Sequence, residues 1–191
     1  MYKYYLLILL TSLSFLISCK DDPKIIATPT PVDVEDVWPT FVDTGANMLA
    51  YKINGKIRVA KNISKTDSTH GVLSCFYLLH ENPKHFSFIG NRISDEAFEG
   101  IQIVINDLKA IGQFKLESVN TQYVGAYKKG TNENNAKQHT TNDIDTGYVL
   151  ITRIDTIKGY ITGRFEFTGR YVFGNEKVKI TEGRFDLKYY R

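Results

Sequence analysis

From position 48 onward, apolar and polar residues alternate with a period close to two, the pattern of strands with one buried face. Residues 48–53 and 56–60 flank Asn54-Gly55. That dipeptide tolerates the two positive φ angles of a type I′ turn, so the segment predicts a hairpin. Runs at 71–79 and 84–92 predict a second pair, joined across Glu81-Asn82-Pro83. Ile101, Ile103 and Ile105 share one face of the next strand. Shorter runs follow at 113–117 and 123–128. Residues 148–154 and 160–168 predict a hairpin about 155–159, with Ile161, Phe165 and Phe167 on one face. Residues 170–173 and 177–190 predict another about Gly174-Asn175. Inside that last run the apolar parity switches. Val178 and Ile180 occupy even positions, whereas Phe185, Leu187 and Tyr189 occupy odd ones. A strand cannot change parity without an extra residue, which predicts a β-bulge near Glu182-Gly183, with the glycine supplying the backbone angles.

Three stretches break the alternation. Residues 129–146 are polar and rich in Asn and Thr, and predict a long loop of the kind that carries function or lacks order. Near the N-terminus, Lys3 precedes an apolar run of about 14 residues, which is short for a bilayer span and predicts a signal helix. Residues 20–40 contain four of the five prolines and more acids than lysines, a composition that predicts an extended tether. The chain therefore divides into a signal peptide at 1–18, Cys19 with a flexible tether to residue 40, and a single all-β domain at 41–191. No βαβ alternation is present. Hairpin connections predict about nine to ten strands in an antiparallel β-sandwich or flattened barrel, between which a period of two does not choose.

Leu16-Ile17-Ser18-Cys19 resembles the lipobox of bacterial lipoproteins. The resemblance implies that Cys19 is acylated and that the chain is held to a membrane by its lipid. Cys19-Lys20-Asp21-Asp22 resembles the short surface-export signal of Bacteroidetes lipoproteins, with Lys20, Asp21 and Asp22 as the signal. That implies an outer-membrane lipoprotein exposed at the cell surface. The rest of the chain is similar to a family of uncharacterised Bacteroidetes lipoproteins. The likeness is carried by Thr44-Gly45-Ala46-Asn47-Met48 with Tyr51-Lys52-Ile53-Asn54-Gly55-Lys56, by Ile101-Gln102-Ile103 with Ile111-Gly112-Gln113-Phe114-Lys115-Leu116, and by Ile161-Thr162-Gly163-Arg164-Phe165-Glu166-Phe167 with Val178 to Asp186. It implies an all-β architecture and a membrane address, and carries over no catalytic residue.

Composition adds little to this. A hydrophobic share of 42% and an aromatic share of 13% suffice for a real core. The net charge of +3 is spread along many strands, so no nucleic-acid partner is expected. With Cys19 acylated, Cys75 has no disulfide partner and reads as packing in an apolar run. The chain contains no Gly-X-Ser-X-Gly, His-Glu-X-X-His, Walker-type or EF-hand pattern. His70, His80, His85 and His139 lack metal-ligand spacing, and Asn142-Asp143-Ile144-Asp145 lacks the glutamate a calcium loop uses. No enzyme activity, metal or cofactor is expected. Tyr123, Tyr127, Tyr148 and Tyr160 are the candidate binding residues, because exposed tyrosines stack on sugars and anchor protein partners. The expected function is therefore a non-enzymatic binding module for a glycan, a peptide or an outer-membrane partner, with a polar or aromatic patch beside 129–146. The alternative is a small-ligand carrier with an apolar cavity inside a barrel, which a side-chain-filled interior would exclude.

Overall fold

The computed structural model describes residues 36–64, 71–78, 83–118 and 123–190. The expected signal helix, Cys19, Lys20, Asp21 and Asp22 lie outside the described residues, as do His70 and His80. Among the described residues there is no α-helix and one 3-10 turn, Glu133–Asn135. The strands are β1 (Met48–Ile53), β2 (Lys56–Val59), β3 (Lys61–Asn62), β4 (Leu73–Leu78), β5 (His85–Ile93) and β6 (Phe98–Asn106). They continue with β7 (Gly112–Leu116), β8 (Tyr123–Gly130), β9 (Lys137–Thr140), β10 (Gly147–Asp155), β11 (Tyr160–Tyr171) and β12 (Lys177–Lys188).

All twelve strands belong to one sheet, ordered β2-β1-β12-β11-β9-β8-β6-β5-β3, with β10, β7 and β4 as side branches. The count exceeds the expected nine to ten because β3 and β9 are short and are set by their pairing rather than by apolar alternation. The two ends of the order, β2 and β3, are neighbours in the chain. Residues 56–62 therefore run antiparallel to β1 in their first half and parallel to β5 in their second. This one stretch brings both edges of the sheet together into a nearly closed barrel. A second seam joins β4 to the chain end. The Tyr77 N–H donates to the Tyr190 carbonyl (3.1 Å), and the Tyr190 N–H donates to the Cys75 carbonyl (2.9 Å).

The barrel is flattened and its middle is full. Strands β5 and β11 lie on opposite walls of the sheet order, yet Phe88 and Phe165 have ring centroids 5.8 Å apart. Phe185 from β12 lies 4.8 Å from Phe88 and 6.3 Å from Phe165. Ile101, Ile103 and Ile105 all face this core, as their spacing predicts. At this layer the apolar cavity of a carrier has no room.

Local chemistry explains the turns. Asn54 (φ 48°) and Gly55 (φ 85°) both take positive φ, as a type I′ hairpin requires. The expected bulge is present: Phe165 faces Gly183 but Phe167 faces Ile180, so Thr181 and Glu182 oppose Glu166 alone. The positive φ (53°) belongs to Glu182, however, and not to the glycine. Gly183 is needed for space, because a Cβ there would sit 2.5 Å from the Phe165 ring. The segment before β1 is fastened as well. Buried Asp186 accepts from the backbone N–H groups of Thr44 (3.0 Å), Gly45 (2.6 Å) and Ala46 (3.2 Å).

Gly183→Ala should therefore destabilise the fold by about 1–3 kcal/mol through overpacking, read from urea midpoints. Glu182→Gly should be neutral or mildly stabilising, since it relieves the positive φ. Wild-type stability for Gly183→Ala would show that the Phe165 ring yields freely.

Candidate binding site at one mouth of the barrel

Cross-strand register collects polar residues at one end of the barrel. Arg92 on β5 lies opposite Glu99 on β6, Glu99 opposite Lys129 on β8, and Lys129 opposite Lys137 on β9. One layer deeper, Tyr127 lies opposite His139, and His139 opposite Tyr171. On the facing wall Tyr51 lies opposite Arg58. Directly opposed residues project from the same face of a sheet, so each row points the same way, into the mouth.

Ion pairs hold this layer. Arg58 Nε donates to Glu99 Oε2 at 3.0 Å, with side-chain exposures of only 1% and 3%. Lys129 Nζ lies 3.4 Å from Glu99 Oε1. Behind them Asp36 accepts from the Val59 N–H (2.8 Å) and from Arg92 Nε (3.0 Å), and pairs with Lys61 Nζ (2.6 Å). Burial by itself would raise the Asp36 pKa, but Lys61, the Val59 N–H and Arg92 together outweigh it and hold the carboxyl below its ordinary value. Charges this deep are tolerated because each is matched.

The uncharged polar groups are not matched. The hydroxyls of Tyr51 and Tyr127 and both ring nitrogens of His139 are buried without a hydrogen-bond partner. The imidazole lies between Tyr127 and Tyr171, at centroid distances of 6.2 and 5.6 Å. Its Nε2 is 3.7 Å from Glu176 Oε1, beyond hydrogen-bond reach. Burial pushes the His139 pKa below its ordinary value, against the pull of Glu176, so the ring is neutral at pH 7 and offers one donor and one acceptor. Burial, with Tyr51 and Glu99 adding to it, pushes the Tyr127 hydroxyl far up and keeps it protonated. Tyr127 and His139 line a half-open recess of about 390 Å³, with Arg58, Lys129, Lys137 and Glu176 around it. The arrangement can hold and orient a ligand by hydrogen bonds and charge.

The opposite end of the barrel has a larger recess of about 630 Å³, bordered by Asn47, Cys75, Gly159 and Tyr189. Among the described residues it offers no buried side chain without a partner. Burial pushes the Cys75 thiol up to about 12, so it is an inert packing group. Size alone does not make this end the site.

The four candidate tyrosines do not come together. Tyr127 is at the polar mouth, but buried. Tyr160 is buried toward the other end, with the Arg153 guanidinium 5.2 Å above its ring. Tyr123 is half-buried and stacked on Phe114, and Tyr148 is half-buried between register partners Lys115 and Glu166. The expected exposed row fails because Tyr127 faces into the closed barrel, whereas Tyr160, on the opposite face of its strand, is covered by the segment at Gly45 and by Arg153. The long loop expected at 129–146 is also corrected. It contains the end of β8, the 3-10 turn and β9, which pairs with β8 and β11. Asn142 Oδ1 accepts from the Ile144 and Asp145 N–H groups. Asp145 is held by Arg170 and Lys177, each at 2.7 Å. His85 bonds Asn106 and Ser87.

Sequence reasoning missed Arg58, Glu99, Lys129, Lys137, His139 and Glu176 as one group. They come from four strands and a turn, and no local spacing joins them. The one available signal was His139, set in a polar run that alternates Lys137, His139 and Thr141.

Residues 92–186 match the model of a family described as a domain of unknown function (DUF6252). The match takes in Glu99, Tyr127, Lys129, Lys137, His139 and Glu176, and leaves out β1 and β2 with Arg58. No curated protein and no solved structure matches the chain.

Tyr127→Phe removes a buried hydroxyl that lies near the Glu99 carboxylate but has no partner at good hydrogen-bond geometry. Thermal melting should show unchanged or raised stability, by up to about 1 kcal/mol. A loss of more than that would mean the hydroxyl is bonded in the free protein.

Proposed function

We propose that the protein is a lipid-anchored, non-catalytic binding module displayed at the outer-membrane surface, and that it engages a glycan, a peptide or an outer-membrane partner at the polar mouth of its barrel. The lipobox-like Leu16-Ile17-Ser18-Cys19, the charged Lys20-Asp21-Asp22 and the proline-rich tract support the address. The observation that carries the binding reading is the mouth itself. Buried, unpartnered Tyr127 and His139 line a recess ringed by cations, and β9 within 129–146 supplies two of its residues. Such groups cost stability while they lack a partner, and a ligand that reaches them supplies the missing hydrogen bonds. An apolar carrier draws no support from a middle layer filled by Phe88, Phe165 and Phe185.

The full chain should give hits on glycan or peptide arrays that disappear in the double variant Lys129→Glu, Lys137→Glu. Hits that persist would place binding elsewhere on the barrel. For the anchor, Cys19→Ala should abolish metabolic labelling by palmitate and release the chain from the detergent phase. Labelling that survives the substitution would sink the lipoprotein reading.

A further inference from the structure

We infer that the mouth recognises a carboxylate, and that its ligand is a small acid that also carries hydrogen-bonding groups able to pair with a neutral imidazole. This deepens the binding reading above and rests on it. Three features point to that chemistry, the first two of them sharing Lys129 and Lys137.

The first is a like-charge pair. Lys129 and Lys137 are directly opposed on β8 and β9 and both line the recess. Like charges in register repel and weaken a sheet. The nearby acids answer only part of this. Glu99 lies 3.4 Å from Lys129 but is already bonded to Arg58, and Glu176 lies 3.1 Å from Lys137 at the exposed rim. An anion seated between the two ammonium groups would turn the repulsion into attraction at both strands.

The second is the donor set. Tyr127 offers a protonated hydroxyl near Glu99, and Lys129 and Lys137 offer ammonium donors around the same recess, with the Glu176 carboxylate at its rim paired to Lys137. Convergent donors suit a group made only of acceptors, and a carboxylate is such a group. Charge-assisted bonds of this kind are the stronger class.

The third is the imidazole. His139 is 2% exposed, is wedged between Tyr127 and Tyr171, and has neither ring nitrogen bonded. A neutral ring presents a donor and an acceptor together, so it suits a ligand hydroxyl or amine beside the carboxylate. A recess of about 390 Å³ sets the scale at a small molecule or one terminal residue of a longer one. Two sources supply this chemistry, an acidic sugar and an acidic amino acid.

The test is calorimetric titration of the full chain with D-glucuronate, L-glutamate and D-glucose. Wild type is compared with Lys137→Ala, at an exposed rim position, and with Tyr127→Phe, which retains the ring. Circular dichroism melts establish that each variant is folded. We expect saturable binding of at least one acid, none of glucose, and an affinity about tenfold weaker in each variant. Tighter binding of glucuronate identifies a sugar acid as the source, and tighter binding of glutamate an amino acid. Glucose binding as tightly as glucuronate, with both variants weakened, would overturn carboxylate recognition while leaving the mouth as the binding end. Acids that bind equally to wild type and variants would overturn the site. No binding by any of the three would overturn the inference, while array hits abolished by Lys129→Glu, Lys137→Glu would still support the broader reading.

Discussion

A sheet that closes has to meet itself somewhere, and here the meeting depends on Asp36. Residues 56–62 touch β1 with one half and β5 with the other, so the backbone beside β2 faces a gap where the two pairings change over. Asp36 fills that gap. Its N–H donates to the Ile57 carbonyl, and its carboxylate takes the Val59 N–H, Arg92 and Lys61. One residue thus stands in for a missing length of strand and neutralises charge from both sides of the seam. The polar mouth adjoins it. Asp36 holds Arg92 from behind, and Glu99 in the next register position pairs with Arg58 and Lys129.

The barrel divides its energetics between layers. The middle is built of large apolar side chains, each worth roughly 1.5–3 kcal/mol when fully buried. Phe86, Phe88, Phe165, Phe185 and the isoleucines of β6 supply that stabilisation. The end layer works against it, since each buried polar group without a partner costs about 1–3 kcal/mol. Tyr51, Tyr127 and His139 are affordable only because the aromatic layer beneath them is filled from both walls. Stability and the capacity to bind reside at different heights of one barrel.

Much of the frame was legible in the sequence, for local reasons. Asn54-Gly55 announces its turn because few other dipeptides accept two positive φ angles. The parity switch between Ile180 and Phe185 announces the bulge because the side-chain period of a strand is fixed. The role of Gly183 was misjudged, since a close ring approach from Phe165 is a tertiary fact with no local trace. β9 was hidden for a related reason. Backbone pairing is indifferent to side chain, and Lys137–Thr140 becomes a strand because β8 and β11 present their edges to it. The site was the least legible part. In β2 the apolar Ile57 and Val59 are only half-buried while Arg58 is the residue turned inward, which inverts the usual meaning of alternation. Near a barrel rim, inward means toward the mouth, and the mouth tolerates charge.

The second seam has a consequence for the order in which the molecule can be made. The outer edge of β4 is completed by Tyr190, which emerges from the ribosome long after Cys75 and Tyr77. Until then β4 carries an open row of amides and carbonyls beside an apolar run, the kind of edge that recruits other chains. The edge of β4 is therefore protected only once Tyr190 is available to pair with Cys75 and Tyr77, so closing this seam also removes a site of association.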